Sequence, residues 1–480
     1  MRKLIVGPIK DPITAEKVKP RPLRPPQRRP AEHDFDRGEP ARIPSGDGPS
    51  VEQSSPTQSV HATGPEPSRS IKFDSYTPMV DPSLPGLFNK LHPPDPSGAD
   101  SGNGVILYVG NPYLVASTDG GASFKDHDPT AFLPAANGRP VDQVMLYVPH
   151  RDLFCWMLQQ NPSATSGEGH FRLAVAHSSD IAGDVEQDWS VYNFSSSDLG
   201  SPGVATDRQD LAYSESRLYM TTSLVGKGRV VMSLVLDDLD KRQPVRWSFT
   251  DPLDPRYQFS QLSQQNQQSG HIVAIEKTTS LEVMTFDDGG SYGFHSVTVG
   301  KFPNDADLKS LDPDGVDWLT LGVANVSAAL VDEGSLWVAW DVAASAPGEA
   351  PVYPEAHVRI ARISTDNWKV IEERQVWNPD YAFAYGTLAL TNGEVGYGVG
   401  VGGKNDYPNS CFGILGDFVV YFRDKSTSTA GAPSDARWGD YITVRPSTVD
   451  PPRFAAFGYY TDGVGNAWNQ RPFHLSYGRP

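Results

Sequence analysis

Two cysteines in 480 residues leave no basis for a cysteine-rich metal site or a disulfide framework. Cys155 and Cys411 sit in separate apolar strand patterns, so buried free thiols are expected rather than a bridge. Long apolar runs are missing as well. None approaches the roughly 20 residues that a membrane helix requires, and Leu4-Ile-Val behind Arg2 and Lys3 is too short for a signal peptide's apolar region. The expectation is a chain without a membrane span, cytoplasmic or exported by a non-classical route. No helical periodicity persists over a long window, which argues against a helical protein. There is no Gly-x-Ser-x-Gly elbow, no His-Glu-x-x-His and no phosphate loop, so no cofactor or metal is implied. Basic charge is short: 41 Lys and Arg face 58 Asp and Glu, a net charge of −17. That sign repels a phosphate backbone and excludes a general nucleic-acid binder.

What the chain does have is turn residues and aromatics. Its 44 Gly and 42 Pro suggest many turns, and its 10 Trp, 19 Tyr and 20 Phe favour strands. From residue 105 to 478 short alternating strands come in pairs. Val105-Ile-Leu-Tyr-Val precedes Tyr113-Leu-Val-Ala, Val144-Met-Leu-Tyr-Val precedes Leu153-Phe-Cys-Trp, and Asp210-Leu-Ala-Tyr precedes Arg217-Leu-Tyr-Met. Further pairs begin at His271 and Leu281, Val326 and Ser335, Thr387 and Val395, and Tyr441 and Phe454. Seven pairs give a period of about 53 residues, which suits four-stranded propeller blades. The reading is all-β: a single β-propeller over residues 71–480, with seven blades preferred. Six is the alternative, reached if the Val105 unit and the C-terminal unit share a blade. The C-terminal unit shows only three strands, and Ile71-Lys-Phe-Asp-Ser-Tyr is available to complete it.

Residues 1–70 differ in kind. Prolines recur throughout and aromatics are nearly absent, so the segment buries too little apolar surface to offset its ordering entropy. A disordered tail is expected. Lys17, Lys19, Arg21, Arg24, Arg28 and Arg29 make its middle basic, which suits an arm docking on an acidic partner.

Two octets stand out. Residues 117–124 read Ser-Thr-Asp-Gly-Gly-Ala-Ser-Phe, and residues 285–292 read Thr-Phe-Asp-Asp-Gly-Gly-Ser-Tyr. Both fit Ser/Thr-x-Asp-x-Gly-x-Ser-aromatic, with Ser117, Asp119, Gly121 and Phe124 matching Thr285, Asp287, Gly289 and Tyr292. An Asp carboxylate can accept N–H groups of its own turn while Gly121 and Gly289 permit positive φ. The pattern resembles the Asp-box of sialidase-like β-propellers. The two aspartates stand roughly three repeat periods apart. A structural role is expected for both, with loss to Ala costing about 1–3 kcal/mol.

In a propeller the connections entering the innermost strands form the face where ligands bind. The residues there are polar: Asp142, Gln143, Asp207, Arg208, Gln209, Asp210, Gln264 to Gln268, Asn325, Tyr385 and Asp440. The leading expectation is a ligand-binding or scaffolding propeller that takes a carbohydrate or a protein partner on this face. The alternative is a glycan-active enzyme, a glycoside hydrolase such as an exo-sialidase or a polysaccharide lyase. True sialidases carry an arginine triad, a Tyr nucleophile helped by Glu, an Asp acid/base and a Phe/Tyr-Arg-Ile-Pro element. Here Phe171-Arg-Leu-Ala is the nearest string and lacks the Pro; Arg172, Arg208 and Arg359 lack the expected surroundings. For a lyase, His271 and Tyr213 are the pair to name. The strings Asp142-Gln-Val, Pro149-His-Arg-Asp-Leu-Phe-Cys-Trp and Arg437-Trp-Gly-Asp-Tyr-Ile-Thr-Val-Arg-Pro are also similar to sialidase-like propeller proteins to which no reaction is attached.

Overall fold

The computed structural model describes residues 95–480, apart from 112, 134–139, 161–166, 304–307, 321–323, 346–351, 418–437, 440 and 465–466. Of the first 94 residues it describes four short strands, Arg2–Lys3, Glu16–Lys17, Glu52–Ser54 and Lys72–Pro78. The expected disordered tail otherwise lies outside the described residues.

The strands form six antiparallel blades. Blade 1 runs Ser97–Asp100, Ile106–Gly110, Tyr113–Ser117 and Lys125–His127, from the channel outward. Blade 2 follows with Pro140–Val148, Leu153–Gln160, His170–His177 and Ser190–Ser195. Thr206–Tyr213, Arg217–Leu224, Gly228–Val235 and Trp247–Phe249 make blade 3. In blade 4 the strands Ser269–Lys277, Ser280–Asp287 and Ser291–Thr298 stand outside a short inner segment. That segment meets them through the Leu262–Ile272 bridge and pairs Ser263 and Gln264 in parallel with Ala329 and Leu330. Blade 5 is Val326–Asp332, Ser335–Val342, His357–Ser364 and Val370–Trp377.

Blade 6 corrects the preferred count of seven. Ala382–Thr391, Glu394–Gly403 and Asp406–Ile414 begin it, and Thr443–Ser447, Arg453–Val464 and Ala467–Gly478 continue it. The two halves become one sheet where Asn409 pairs with Tyr460. Seven repeat units therefore occupy six sheets. The sharing is between the Thr387 and C-terminal units; the Val105 unit keeps a blade of its own. Lys72–Pro78 pairs antiparallel with Ala467–Gly478 and supplies the missing fourth strand of the C-terminal unit.

Apolar side chains fill the spaces between units, because alternation sends every second residue into a neighbouring blade. Trp156 packs on Trp189 and Phe132 between blades 1 and 2, and Tyr219 on Phe286 between blades 3 and 4. Phe412, Phe454 and Tyr477 lie inside blade 6, between its halves. The ring closes from blade 6 to blade 1 through Thr443 Oγ1 on Pro96 O (2.9 Å) and Ser447 Oγ on the Asp100 carboxylate (2.6 Å). Cys155 and Cys411 are buried free thiols. Among the described residues no helix is long and apolar enough to cross a membrane.

The two octets occupy equivalent places, the connection from third to fourth strand of blades 1 and 4, but they are built differently. Asp119 accepts from Ser117 Oγ (2.7 Å), the Ser123 N–H (2.9 Å) and Ser123 Oγ (2.6 Å), which holds its carboxyl down at about 2. Asp287 accepts only the Ser291 N–H of its turn (2.9 Å). Positive φ falls at Gly120 and Gly121 in the first turn; in the second it falls at Gly290, not at the expected Gly289, because that loop is shorter. Since Asp119 and Ser123 are exposed, the freed Ser123 groups would reach water. We expect Asp119→Ala to cost no more than about 1 kcal/mol, with ligand binding unchanged, by urea unfolding and calorimetry.

Candidate functional site

The inner strands of four blades share one defect. Pairing slips by a residue at Asp142, at Arg208–Gln209, at Ser327 and at Tyr385–Gly386. Each slip is a β-bulge, which bends the strand and re-aims a side chain. Three of them hold a non-glycine residue at positive φ: Asp142 at 44°, Arg208 at 52° and Tyr385 at 60°. Bulky residues rarely adopt that region, and such strain clusters at ligand sites. At Gly386 a Cβ would lie 3.0 Å from both Ser327 Oγ and Val358 Cγ1, so the blades approach too closely there for a larger residue to fit without shifting its neighbours.

Bulges of blades 3, 5 and 6 converge on one cavity at the mouth where the inner strands begin. It spans about 560 Å³, counting space open to solvent. Arg208, Gln209, Asn325 and Tyr385 line it, together with Arg229, Phe259, Gln261, Ser327, Asp341 and Tyr441. The Arg208 guanidinium stacks over the Phe259 ring at 4.4 Å. Arg229 is buried beneath, donating to Arg208 O (2.8 Å), Gln258 O (2.9 Å) and Thr221 Oγ1 (2.6 Å). Burial pulls its guanidinium down to about 10, so it stays charged at neutral pH. Gln209 donates to Thr222 Oγ1, while its buried Oε1 makes no hydrogen bond.

Among the described residues Asp341 is the cavity's one carboxylate. It stands on the second strand of blade 5 and reaches across to blade 6, accepting the Tyr385 N–H (3.0 Å) and, more weakly, the Gly386 N–H (3.4 Å) and Ser327 Oγ (3.3 Å). It thus pins two bulges at once. Burial pushes its carboxyl up to about 7, against the pull of those donors. A carboxyl titrating near neutrality in a cleft can give or take a proton.

The remaining sequence candidates lie elsewhere. Gln143 is buried between blades, donating to Gly110 O and accepting from Trp156 Nε1 (3.1 Å). Asp142 takes Asn111 Oδ1 on its N–H (2.6 Å), and Asp207 caps the Arg208 N–H (3.0 Å). Asp210 is buried with its two oxygens on the N–H groups of Leu211 (2.8 Å) and Leu262 (2.7 Å). Asp440 lies outside the described residues. The three arginines do not form a triad: Arg172 donates to Leu133 O (3.3 Å) and Arg359 pairs with buried Glu373. His271 bonds Thr285 Oγ1 (3.0 Å) and packs on Trp368, whereas Tyr213 packs on His150. The structure gives that pair different neighbours. Sequence reasoning missed Asp341, Arg229 and Phe259; a lone Asp closing the apolar run Leu336-Trp-Val-Ala-Trp was the available signal for the first.

No protein family and no curated protein matches the chain. Solved structures do, at low identity. A GH43 glycoside hydrolase engineered to display both endo-xylanase and exo-arabinofuranosidase activity is 9% identical, with 86% of this chain and 96% of that one covered, at a TM-score of 0.29. Trypanosoma rangeli sialidase in complex with sialic acid is 8% identical over 80% of this chain and 59% of its own, at 0.34. AofleA from Arthrobotrys oligospora is 10% identical over 70% and 86%, at 0.38.

Proposed function

We propose that the protein binds a carbohydrate in the cavity between the bulges of blades 3, 5 and 6. The observation that carries this is the mixture of its lining. Phe259, Tyr385 and Tyr441 supply aromatic surface to the lining, with Arg208 stacked on Phe259, and Gln209 and Asn325 supply planar polar groups beside them. A sugar ring presents the complement: apolar C–H faces flanked by hydroxyls that donate and accept in pairs. The unpartnered Gln209 Oε1 is an acceptor in waiting. Residues 71–480 are read as the binding propeller and 1–70 as a tail that docks an acidic partner; Lys72–Pro78 pairs into blade 6, while Arg2–Lys3, Glu16–Lys17 and Glu52–Ser54 of the tail pair on the outer strands of blades 4, 2 and 5.

A second reading is hydrolysis at the same site, favoured by one observation, the Asp341 carboxyl at about 7. A glycan array and a glycan-cleavage screen on the full chain test both. Arg208→Ala is expected to weaken the best glycan at least tenfold, about 1.4 kcal/mol. Cleavage abolished by Asp341→Asn with binding retained would establish the enzyme. Glycan binding indifferent to Arg208→Ala would refute the site.

A further inference from the structure

The channel has a second cavity at its other end, where the inner strands finish. It spans about 440 Å³, counting space open to solvent. Leu146, Pro149, Leu388 and Val444 make much of its wall, with Tyr213 and Arg445 among the polar residues. Arg445 comes from the inner strand Thr443–Ser447, and its neighbours in the ring explain its isolation. Asp210 is near enough to influence its charge but makes no hydrogen bond to it; its two oxygens each accept a backbone N–H. Asp100, also on the wall, accepts the Gly102 N–H (2.8 Å) and Ser447 Oγ (2.6 Å). Among the described residues Arg445 therefore makes no hydrogen bond and no ion pair, and its Nε is fully buried in that state. The Tyr213 hydroxyl likewise makes no hydrogen bond among the described residues.

The guanidinium is half-buried, with its Nε enclosed and its outer nitrogens left open toward the cavity, so an anion entering there would meet free donors. We infer that Arg445 and Tyr213 form an anion site in this lower cavity, whose ligand is a small organic monocarboxylate with an apolar body. The guanidinium offers a carboxylate two parallel donors and the phenol offers a third. The apolar wall favours an aliphatic body over a bare inorganic anion, and the two committed carboxylates disfavour a multiply charged one. This site is separate from the carbohydrate cavity and does not rest on it.

Butyrate, acetate and inorganic phosphate are the probes, titrated calorimetrically into the full chain. Butyrate is expected to bind saturably and more tightly than acetate, by about fourfold for each methylene that the wall covers. Arg445→Met should weaken butyrate at least tenfold while leaving the melting temperature unchanged or higher, since an unpaired charge is removed. Tyr213→Phe should weaken it at least threefold, and Asp119→Ala, on a surface turn, not at all. Absence of saturable butyrate binding, binding of phosphate alone, or equal butyrate affinity in wild type and Arg445→Met would each overturn the assignment. So would a large loss of stability in Arg445→Met, which would show that the guanidinium already has a structural partner.

Discussion

Replacing Asp341 by Ala is expected to cost the fold about 2–4 kcal/mol and to abolish ligand binding in the upper cavity. The backbone N–H groups of Tyr385 and Gly386 are buried, and Asp341 is their acceptor; Ser327 Oγ loses the same partner. Without it the Tyr385 bulge loses the acceptor that fixes its N–H while the residue sits at positive φ, and Tyr385 forms part of the cavity wall. Asp341→Asn should behave differently. Its amide oxygen keeps the stronger bond to Tyr385, its NH₂ can donate to Ser327 Oγ, and only the weak Gly386 contact is lost.

The amide also cannot ionise, and this gives the variant pair a pH signature. A carboxyl whose folded value is raised from 3.8 to about 7 contributes stability that is fully present below 3.8 and is lost as pH rises through about 7. Wild type should therefore lose ground to Asp341→Asn between pH 4 and 7, by an amount on the order of 4 kcal/mol once both limits are reached. Melting curves of the two proteins at pH 4, 6 and 8 provide the check. Curves that stay parallel would mean that Asp341 does not titrate in this range.

Much of the architecture was legible because local chemistry and tertiary packing agree. Asn392-Gly393 between two alternating runs specifies a two-residue hairpin, and both residues take positive φ there. Ile71-Lys-Phe-Asp-Ser-Tyr read as a strand in need of a sheet, and blade 6 was a sheet in need of a strand. The blade count was less legible. It turns on Arg453–Val464 extending past Thr443–Ser447 far enough for Tyr460 to reach Asn409, a matter of register that no single residue announces. The site divides in the same way. Arg208, Gln209, Asn325 and Tyr385, picked out because polar residues precede apolar inner strands, line the cavity. Asp341 and Arg229 were not, because they stand on second and third strands and reach the cavity only through the bulges in front of them.

Acid should unfold this protein steeply, and histidine is the cause. His271, His357 and His474 are buried in their neutral forms, with burial lowering them from 6.5 to about 4, about 3 and about 4. Burial lowers His127 and His295 as well. A group whose folded value is depressed keeps the fold stable above its unfolded value of 6.5 and withdraws that stability as pH falls toward the folded one. Three carboxyls oppose them: Asp341, Asp210 and Glu355 are raised by burial and gain from acid. Among the groups shifted by a stated amount, three histidines outweigh Asp341, a net loss on the order of 2–3 kcal/mol per pH unit between about 6.5 and 4. His474 is the cleanest place to test the argument. It lies between Phe124 and Phe457, and neither of its ring nitrogens has a hydrogen-bond partner among the described residues. His474→Phe therefore removes a titrating group without removing a bond. At pH 7.5 the variant should match or exceed wild type. At pH 4.5 it should be ahead by about 2–3 kcal/mol, measured by urea unfolding at each pH. An unchanged difference between the two pH values would show that His474 is not held neutral, and would shift the acid lability onto the remaining histidines.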